Sequence, residues 1–217
     1  MDATYSVVST KLCLIRHGET AWNAAGRLQG QIDVPLSPVG AAQARATAGA
    51  LVGTTFAAIY ASDLLRARQT AEAAARVLAL PLHFMAGLRE RHYGVFQSLT
   101  YAEARSRYPA EYARFEAREA DFDFLGGESL TDFAARVVAC VATIAARHAG
   151  EQVLVVTHGG VLDVLHRQAS GKPLSTPRDF AIPNAALNWM SMHDGVWSLL
   201  SWADTRHLTE TLDELPG

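Results

Sequence analysis

Short apolar runs alternate with longer segments of helical periodicity along most of this chain. The apolar runs, which have the length and character of buried strands, lie at residues 11–15, 56–61, 82–84 and 152–157. Segments with apolar residues at helical spacing lie at 37–51, 64–80, 130–148 and 159–169. Because strands that alternate with helices form parallel sheets, the pattern predicts an α/β fold with a largely parallel central sheet.

Three parts of the sequence fall outside this alternation. Two alternating segments, at 187–192 and 196–202, face each other across a turn at 193–195 and predict an antiparallel hairpin at the sheet edge. Residues 100–125 are irregular in pattern, rich in arginine and aromatic residues, and predict an inserted helical cap. The polar ends, residues 1–10 and 206–217, are expected to be loose.

Composition narrows the class of protein only modestly. The chain has 217 residues, 49% hydrophobic and 19% charged, so it is long enough to bury a core and is typical of a globular protein. Its formal charge of -3 predicts no attraction to nucleic acid or to an anionic membrane. No signal peptide or run of membrane-spanning length is visible, and Cys13 and Cys140 lack the spacing of a metal site. We therefore expect a protein of the reducing cytoplasm, with no nucleic-acid or membrane partner.

Two histidines follow buried strands in the same local pattern. The segment Arg16-His17-Gly18 comes directly after the first predicted strand, and Thr157-His158-Gly159-Gly160 ends the strand at 152–157. Ligands of open α/β sheets bind at the carboxyl ends of the strands. The pattern therefore predicts that both histidines meet at one edge of the sheet.

The other residues expected at this edge suit a phosphate group. A third strand end leads through Ser62 or Asp63, either of which is expected as a helix cap, to Arg66 on the first turn of a helix. Guanidinium groups match phosphate oxygens and imidazole can attack phosphorus, and no acidic ligand accompanies them, so an anion is favoured over a metal. Glu90, after the short strand at 82–84, adds a carboxyl group that can donate and accept a proton.

Together these segments resemble the histidine phosphatase superfamily, which includes the cofactor-dependent phosphoglycerate mutases. The matching residues follow the family's order and are Arg16-His17-Gly18-Glu19-Thr20, Trp22-Asn23, Gly26-Arg27-Leu28-Gln29-Gly30, Leu36-Ser37, Gly40, Ser62-Asp63-Leu64, Arg66-Ala67, Gln69-Thr70, Leu88-Arg89-Glu90, Gly94, Gly127-Glu128-Ser129 and His158-Gly159-Gly160. The resemblance implies a three-layer α/β sandwich with a mostly parallel central sheet, an antiparallel edge hairpin and a small helical cap. It implies one domain over residues 1–217, with the cap at about 100–125.

The resemblance also implies a role for each site residue. His17 is expected to attack phosphorus and become phosphohistidine, while Glu90 serves as the acid and then the base. The phosphoryl oxygens are expected to be held by Arg16, Arg66, Asn23, His158 and the backbone at Gly159. Contacts to the rest of the substrate are expected from Gln29, Gly30 and Tyr93. Neither a metal nor a cofactor is expected, because the arginines and the second histidine supply the positive field.

Within this family the sequence favours a hydrolase over a mutase. The mutases typically have Gly-Asn-Ser after the second histidine, whereas this chain has Gly159-Gly160-Val161, as the phosphatases do. The mutases also carry an arginine pair in the cap, which this sequence lacks. However, Glu90-Arg91-His92-Tyr93-Gly94 is similar to the mutase pattern and keeps a phosphoglycerate mutase as the alternative. The sequence thus predicts hydrolysis of small phosphorylated metabolites through phosphohistidine.

Two other hypotheses, a protein phosphatase and a phospho-ligand binding module without catalysis, are less favoured. Relatives that lose catalysis typically lose the nucleophile or the acid, and His17, Glu90 and His158 are all present here. The predicted edge hairpin leaves backbone groups unpaired, so a second copy of the chain is a candidate partner in a homodimer.

Overall fold

The computed structural model describes residues 8–213 and has a six-stranded sheet at its centre. The strands are β1 (Thr10–Arg16), β2 (Ala58–Ala61), β3 (Leu82–Phe84), β4 (Gln152–Thr157), β5 (Leu187–His193) and β6 (Val196–Asp204). The helices are α1 (Ala21–Ala24), α2 (Pro38–Ala50), α3 (Leu65–Leu78), α4 (Tyr101–Arg107), α5 (Pro109–Glu116), α6 (Leu130–Arg147) and α7 (Gly159–Ser170). The strand order is β3-β2-β4-β1-β5-β6, in which the first four strands are parallel and the β5–β6 hairpin is antiparallel. The predicted sheet with an antiparallel hairpin at one edge is confirmed.

Helices cover both faces of the sheet. Successive side chains of a strand point to opposite faces, so Leu12 and Leu14 of β1 pack with α6 and α7, whereas Cys13 and Ile15 pack with α2 and α3. All four side chains are buried, which explains why β1 reads as a continuous apolar run rather than an alternating one. The predicted three-layer sandwich is therefore confirmed.

Helices α2 and α6 begin at the residues that the sequence marks. Ser37 accepts a hydrogen bond from Gly40 N–H at 3.0 Å, and Pro38 occupies the first turn of α2. Ser129 caps α6 in the same way, accepting from Asp132 N–H at 3.0 Å. Within residues 8–213, no helix combines the length and apolar character that crossing a membrane requires.

The cap has an aromatic core of its own, separate from the two cores on the sheet. Phe122 and Phe124 are fully buried, with ring centroids 4.7 Å apart, and Phe96 packs against both of them. Tyr112 of α5 is buried in this cluster, and Tyr101, Tyr108 and Phe115 pack against it. The aromatic residues that the sequence places in the cap therefore serve largely as its core.

Two expectations about local structure are wrong. Residues 206–213 are not loose, because Thr211 Oγ1 donates to Asn184 O at 2.7 Å and Asn184 N–H donates to Leu212 O at 2.9 Å. Neither Ser62 nor Asp63 caps α3, whose N-cap is Leu64 without a side-chain hydrogen bond. The expected looseness of residues 1–7 and 214–217 falls outside the described residues.

Candidate active site

Strands β1 and β4 end at the same level of the sheet, and a histidine follows each strand directly. Their parallel register pairs Arg16 with Thr157, so His17 and His158 leave the sheet side by side. The backbone N–H of His17 donates to Thr157 O at 2.9 Å, and the two imidazole centroids lie 5.2 Å apart. The structure thus brings together the two histidines that the strand pattern places at one edge.

His17 is held as a neutral imidazole with its Nε2 lone pair facing a cation. Arg66 Nε donates to His17 Nε2 at 3.2 Å, and His17 Nδ1 lies 2.7 Å from Gly18 O. Because a guanidinium only donates, Nε2 accepts and the ring proton belongs on Nδ1, where it binds the Gly18 carbonyl. Burial, together with the charges of Arg66 and Arg16, lowers the pKa of His17 well below 6.5. Nε2 therefore carries an available lone pair at neutral pH.

His158 is fixed by a buried serine that sequence reasoning assigned elsewhere. Its Nε2 lies 2.8 Å from Ser62 Oγ, and Ser62 Oγ also accepts from Leu64 N–H at 3.3 Å. Among the described contacts of Ser62, Nε2 is the acceptor that its hydroxyl hydrogen can reach, so we assign the His158 proton to Nδ1. That nitrogen is buried and has no hydrogen-bond partner within residues 8–213. Burial and the neighbouring charge of Arg66 lower the pKa of His158 well below 6.5, so it is a neutral donor.

Two buried guanidinium groups flank the histidines. Arg66 is 1% exposed and is anchored by hydrogen bonds to Gly30 O at 2.7 Å and Ile32 O at 2.9 Å. Burial lowers the pKa of Arg66 to about 10, which leaves it cationic at neutral pH. Arg16 is 2% exposed, and its Nη1 donates to Ile182 O at 2.9 Å. The anchored charges give the site a positive field that needs no rearrangement to receive an anion.

Glu90 lies at the amino end of α7, where the backbone holds its carboxylate. Oε2 accepts from Gly160 N–H at 3.0 Å and Oε1 accepts from Arg91 N–H at 2.8 Å. The N-terminus of a helix favours a negative charge, and Gly160 leaves the space that the carboxylate occupies. A Cβ at Gly160 would lie 2.2 Å from Glu90 Oε1.

Two adjoining clefts open onto these residues. The histidine cleft is lined by Arg16, His17, Asn23, Arg27, Leu28, Gln29, Gly30, Arg66, Glu90, Tyr93 and Tyr101. The cap cleft is lined by Arg91, Tyr93, Tyr101, Phe115, Arg118, Leu130, Phe133, Gly159, Gly160, Asp163, Arg178 and Ile182. Tyr93 and Tyr101 line both, so the two clefts adjoin at these side chains.

The structure collects every predicted site residue around these clefts. Eight of them line the histidine cleft, Gly159 lines the cap cleft, and His158 lies against His17. The carbonyl of Gly30, a residue expected to contact substrate, holds Arg66. Asn23 accepts from both the backbone N–H and the hydroxyl of Thr20 and so closes the capping box of α1. Burial raises the pKa of Tyr93 well above 10, so its phenol keeps its proton.

Two residues that hold the histidines in place were not predicted as part of the site. Ser62 was expected to cap α3 but instead contacts His158. Asn184, which is fully buried, donates to His17 O at 2.9 Å and gave no signal in the sequence. Within residues 8–213, no three histidine, cysteine, aspartate or glutamate side chains are placed together to hold a metal ion.

The neutral histidines predict that acid destabilises the fold. The pKa of each lies well below 6.5 in the folded chain, so the unfolded chain binds more protons as pH falls below about 6.5. For each histidine, the free energy of unfolding then falls by up to about 1.4 kcal/mol for every pH unit below about 6.5. Above about pH 6.5 neither state gains a proton at these histidines, so they cause no change in stability with pH.

The measurement is urea unfolding between about pH 7.5 and about pH 5.5, on wild type and on His17→Asn. Because the variant lacks one of the two groups, it should lose less unfolding free energy over this interval. An equal loss in both proteins would contradict a neutral, buried His17.

Comparison with known proteins identifies the family. The model of the histidine phosphatase superfamily, branch 1, matches residues 12–205. A metal-independent phosphoserine phosphatase from Arabidopsis thaliana is 40% identical over 208 residues, which cover 92% of this chain and 84% of that protein. Phosphoglycerate mutase-like protein 4, also from Arabidopsis thaliana, is 37% identical over 205 residues, covering 93% and 88%.

A solved structure with the same fold contains a bound phosphomonoester. It is a phosphoserine phosphatase mutant from Entamoeba histolytica in complex with phosphoserine, with a TM-score of 0.83 and 28% identity over 92% of this chain and 99% of that one. The family model spans most of this chain, and the relatives match it over nearly their full lengths. The chain belongs to branch 1 of the histidine phosphatase superfamily.

Proposed function

We propose that this protein is a metal-independent phosphomonoester hydrolase that acts on small phosphorylated metabolites through a phosphohistidine at His17. The observation that carries the proposal is the buried pair of neutral histidines between Arg16 and Arg66. A neutral imidazole is a nucleophile, and fixed guanidinium groups stabilise the charge that spreads over a transferring phosphoryl group. The phosphoserine phosphatase among the relatives supports the same reaction.

In the first step His17 Nε2 attacks phosphorus and the bond from phosphorus to the leaving oxygen breaks. Glu90 gives that oxygen the proton that it regains from water in the second step of each cycle, and the alcohol departs. In the second step a water molecule attacks the phosphohistidine, and Glu90 takes a proton from the water. The phosphorus–nitrogen bond breaks, inorganic phosphate leaves, and the Nε2 lone pair is restored.

The remaining residues of the histidine cleft hold the phosphoryl group during both steps. Arg66 Nε, which donates to His17 Nε2, can donate to a phosphoryl oxygen once that lone pair bonds phosphorus. His158 Nδ1–H, buried and without a partner within residues 8–213, donates to another oxygen. Arg16, Asn23 and the backbone N–H of Gly159 complete the proposed set of donors. The amides at the start of α7 add the positive end of a helix.

The cap cleft suits the organic part of a small substrate. Its walls are largely aromatic and apolar, as in most small-molecule sites. Among the described residues that line it, three arginines, Arg91, Arg118 and Arg178, outnumber one carboxylate, Asp163. We propose that Gln29, Gly30 and Tyr93 contact the substrate at the junction with the histidine cleft.

A phosphoglycerate mutase is the second candidate function. It is favoured by the 37% identity to the mutase-like relative and by the segment Glu90-Arg91-His92-Tyr93-Gly94. A mutase would return the phosphoryl group to the other hydroxyl of its substrate and would exclude water meanwhile. Gly159-Gly160-Val161, which follows the phosphatase pattern, keeps the hydrolase ahead.

One assay separates the two functions. The protein is given 3-phosphoglycerate with a trace of bisphosphate primer, and both 2-phosphoglycerate and free phosphate are followed, alongside a panel of phosphomonoesters with and without a chelator. Phosphate release with negligible isomer, unchanged by the chelator, is the expected result. Fast isomer formation with little free phosphate would establish the mutase instead, and loss of activity with the chelator would contradict a metal-independent reaction.

Two further proposals concern the setting of the enzyme. We propose that the enzyme acts in the cytoplasm. We also propose that it forms a homodimer. The outer strand β6 supports the dimer, because it carries the exposed side chains Val196 and Leu200 at the free edge of the described sheet.

Substitution of Gly160 tests the placement of Glu90. In Gly160→Ala the new Cβ would lie 2.2 Å from Glu90 Oε1, so the carboxylate must move. A misplacement of about 1 Å in a catalytic group can cost about 10²-fold in rate, and we expect a loss of that order in kcat for alkyl phosphates.

The matched control is Gly49→Ala, another helical glycine, where a Cβ would meet nothing within 4 Å. It should leave activity unchanged and raise the unfolding free energy by about 0.5–1 kcal/mol. Full activity of Gly160→Ala on alkyl phosphates would show that catalysis does not depend on the position of the Glu90 carboxylate beside α7.

A further inference from the structure

The loop that carries Glu90 is pinned by one arginine of the neighbouring helix α6. Arg136 Nη1 donates to Gly87 O and to Arg89 O, both at 3.0 Å, and Nη2 donates to Glu90 O at 3.3 Å. A guanidinium carries five N–H donors in a rigid fork, so it can hold several carbonyl groups in fixed relation. Arg136 thus fixes the backbone on the amino side of Glu90 and at Glu90 itself.

Glu128 connects this arginine to the other side of the loop. Its carboxylate accepts from Arg136 Nε and Nη2, both at 2.7 Å, and its Oε2 also accepts from His92 N–H at 2.9 Å. The ion pair is partly buried, with its side chains 25% and 22% exposed. The Arg136–Glu128 pair therefore joins residues 87–90 to residue 92 across Glu90.

The Glu90 side chain depends on this backbone support. Within residues 8–213 both hydrogen bonds of its carboxylate come from backbone N–H groups, those of Arg91 and Gly160. No neighbouring side chain in that range holds the carboxylate by a hydrogen bond, so the course of the loop sets where it points. A loop free to shift would carry the carboxylate away from the leaving oxygen.

We propose that the Arg136–Glu128 pair is a positioning device for the acid–base step: it sets Glu90 for proton transfer without touching substrate. This proposal rests on the proposed function, in which Glu90 protonates the leaving oxygen. Proton donation matters most when the leaving oxygen is strongly basic. Loss of the pair should therefore slow alkyl phosphates far more than aryl phosphates with an activated leaving group.

The experiment measures kcat/KM, which reports the steps up to phosphohistidine and excludes the base step, for 4-nitrophenyl, phenyl and propyl phosphate with wild type, Arg136→Gln, Glu90→Gln and the double variant. General acid catalysis contributes about 10²–10⁴-fold, so we expect Arg136→Gln to lose at least about 10-fold on propyl phosphate and less than about 3-fold on 4-nitrophenyl phosphate. In the Glu90→Gln background the same change should cost nothing further on propyl phosphate, because the acid is already gone. Arg136→Lys, which keeps the charge without the fork, should be intermediate.

The matched control is Arg147→Gln, an exposed arginine at the end of the same helix, which should leave all three rates unchanged. If Arg136→Gln slows every substrate equally, or adds its full loss to Glu90→Gln, the pair supports the fold alone and the positioning proposal is wrong. If Glu90→Gln itself shows no dependence on the leaving group, the proposed acid role of Glu90 fails. Thermal unfolding of each variant separates these results from simple loss of folded protein.

Discussion

His17→Ala is expected to abolish phosphate release while leaving the fold intact. The variant lacks the Nε2 lone pair to which Arg66 Nε donates, so no phosphohistidine can form. Removing the nucleophile of an enzyme that works through a covalent intermediate costs roughly 10⁴-fold or more in kcat. The measurement is steady-state phosphate release on the substrate that proves fastest in the panel.

The fold should survive because His17 lies at the end of β1 rather than inside either hydrophobic core. We expect its thermal midpoint to stay within about 5 °C of wild type. His83→Ala, at an exposed histidine of β3, is the control and should keep full activity. Turnover by folded His17→Ala at a rate near wild type would rule out phosphohistidine at this position.

Glu90→Gln is expected to have the second largest effect, and the effect should depend on the leaving group. The amide keeps the size of the side chain and its carbonyl can still accept from Gly160 N–H, but it cannot supply a proton. Loss of a general acid costs about 10²–10⁴-fold where the leaving oxygen is basic, as in alkyl phosphates. Formation of phosphohistidine from 4-nitrophenyl phosphate, which needs little protonation, should be slowed by less than about 10-fold.

Pre-steady-state kinetics keep the two roles of Glu90 apart. The burst of 4-nitrophenol reports the first step, and the later release of phosphate reports hydrolysis of the intermediate, in which Glu90 acts as base. An equal loss in the burst for activated and alkyl substrates would argue against an acid at Glu90. If Glu90→Gln releases phosphate after the burst as fast as wild type does, Glu90 is not the base of the second step.

The parts of this fold that follow from local sequence were predictable. Parallel strands covered on both faces read as continuous apolar runs, and β1 and β4 do so. The repeated strand–histidine–glycine pattern predicted that His17 and His158 meet, and the level register of β1 and β4 brings them together. The hairpin of β5 and β6 followed from its alternating pattern on both sides of a turn.

The residues that sequence reasoning missed act through contacts between distant segments. Ser62 precedes a helix and so resembles a cap, but the end of β2 directs it toward His158, 96 positions further along the chain. Glu128 stands among the residues that match the family, but only the folded loop shows that it joins Arg136 to the backbone around Glu90. Residues 206–213 looked loose because their polar sequence does not reveal the carbonyl and amide of Asn184 that they bind.

In the proposed reaction, His17 carries the phosphoryl group between substrate and water. The most direct measurement is rapid quenching of wild type during turnover of a labelled phosphomonoester, at alkaline pH because phosphohistidine is labile to acid, followed by mapping of the labelled peptide. We expect a label on the peptide that contains His17, formed before phosphate is released and lost as phosphate appears. Steady turnover with no labelled protein, or with the label on His158, would contradict it.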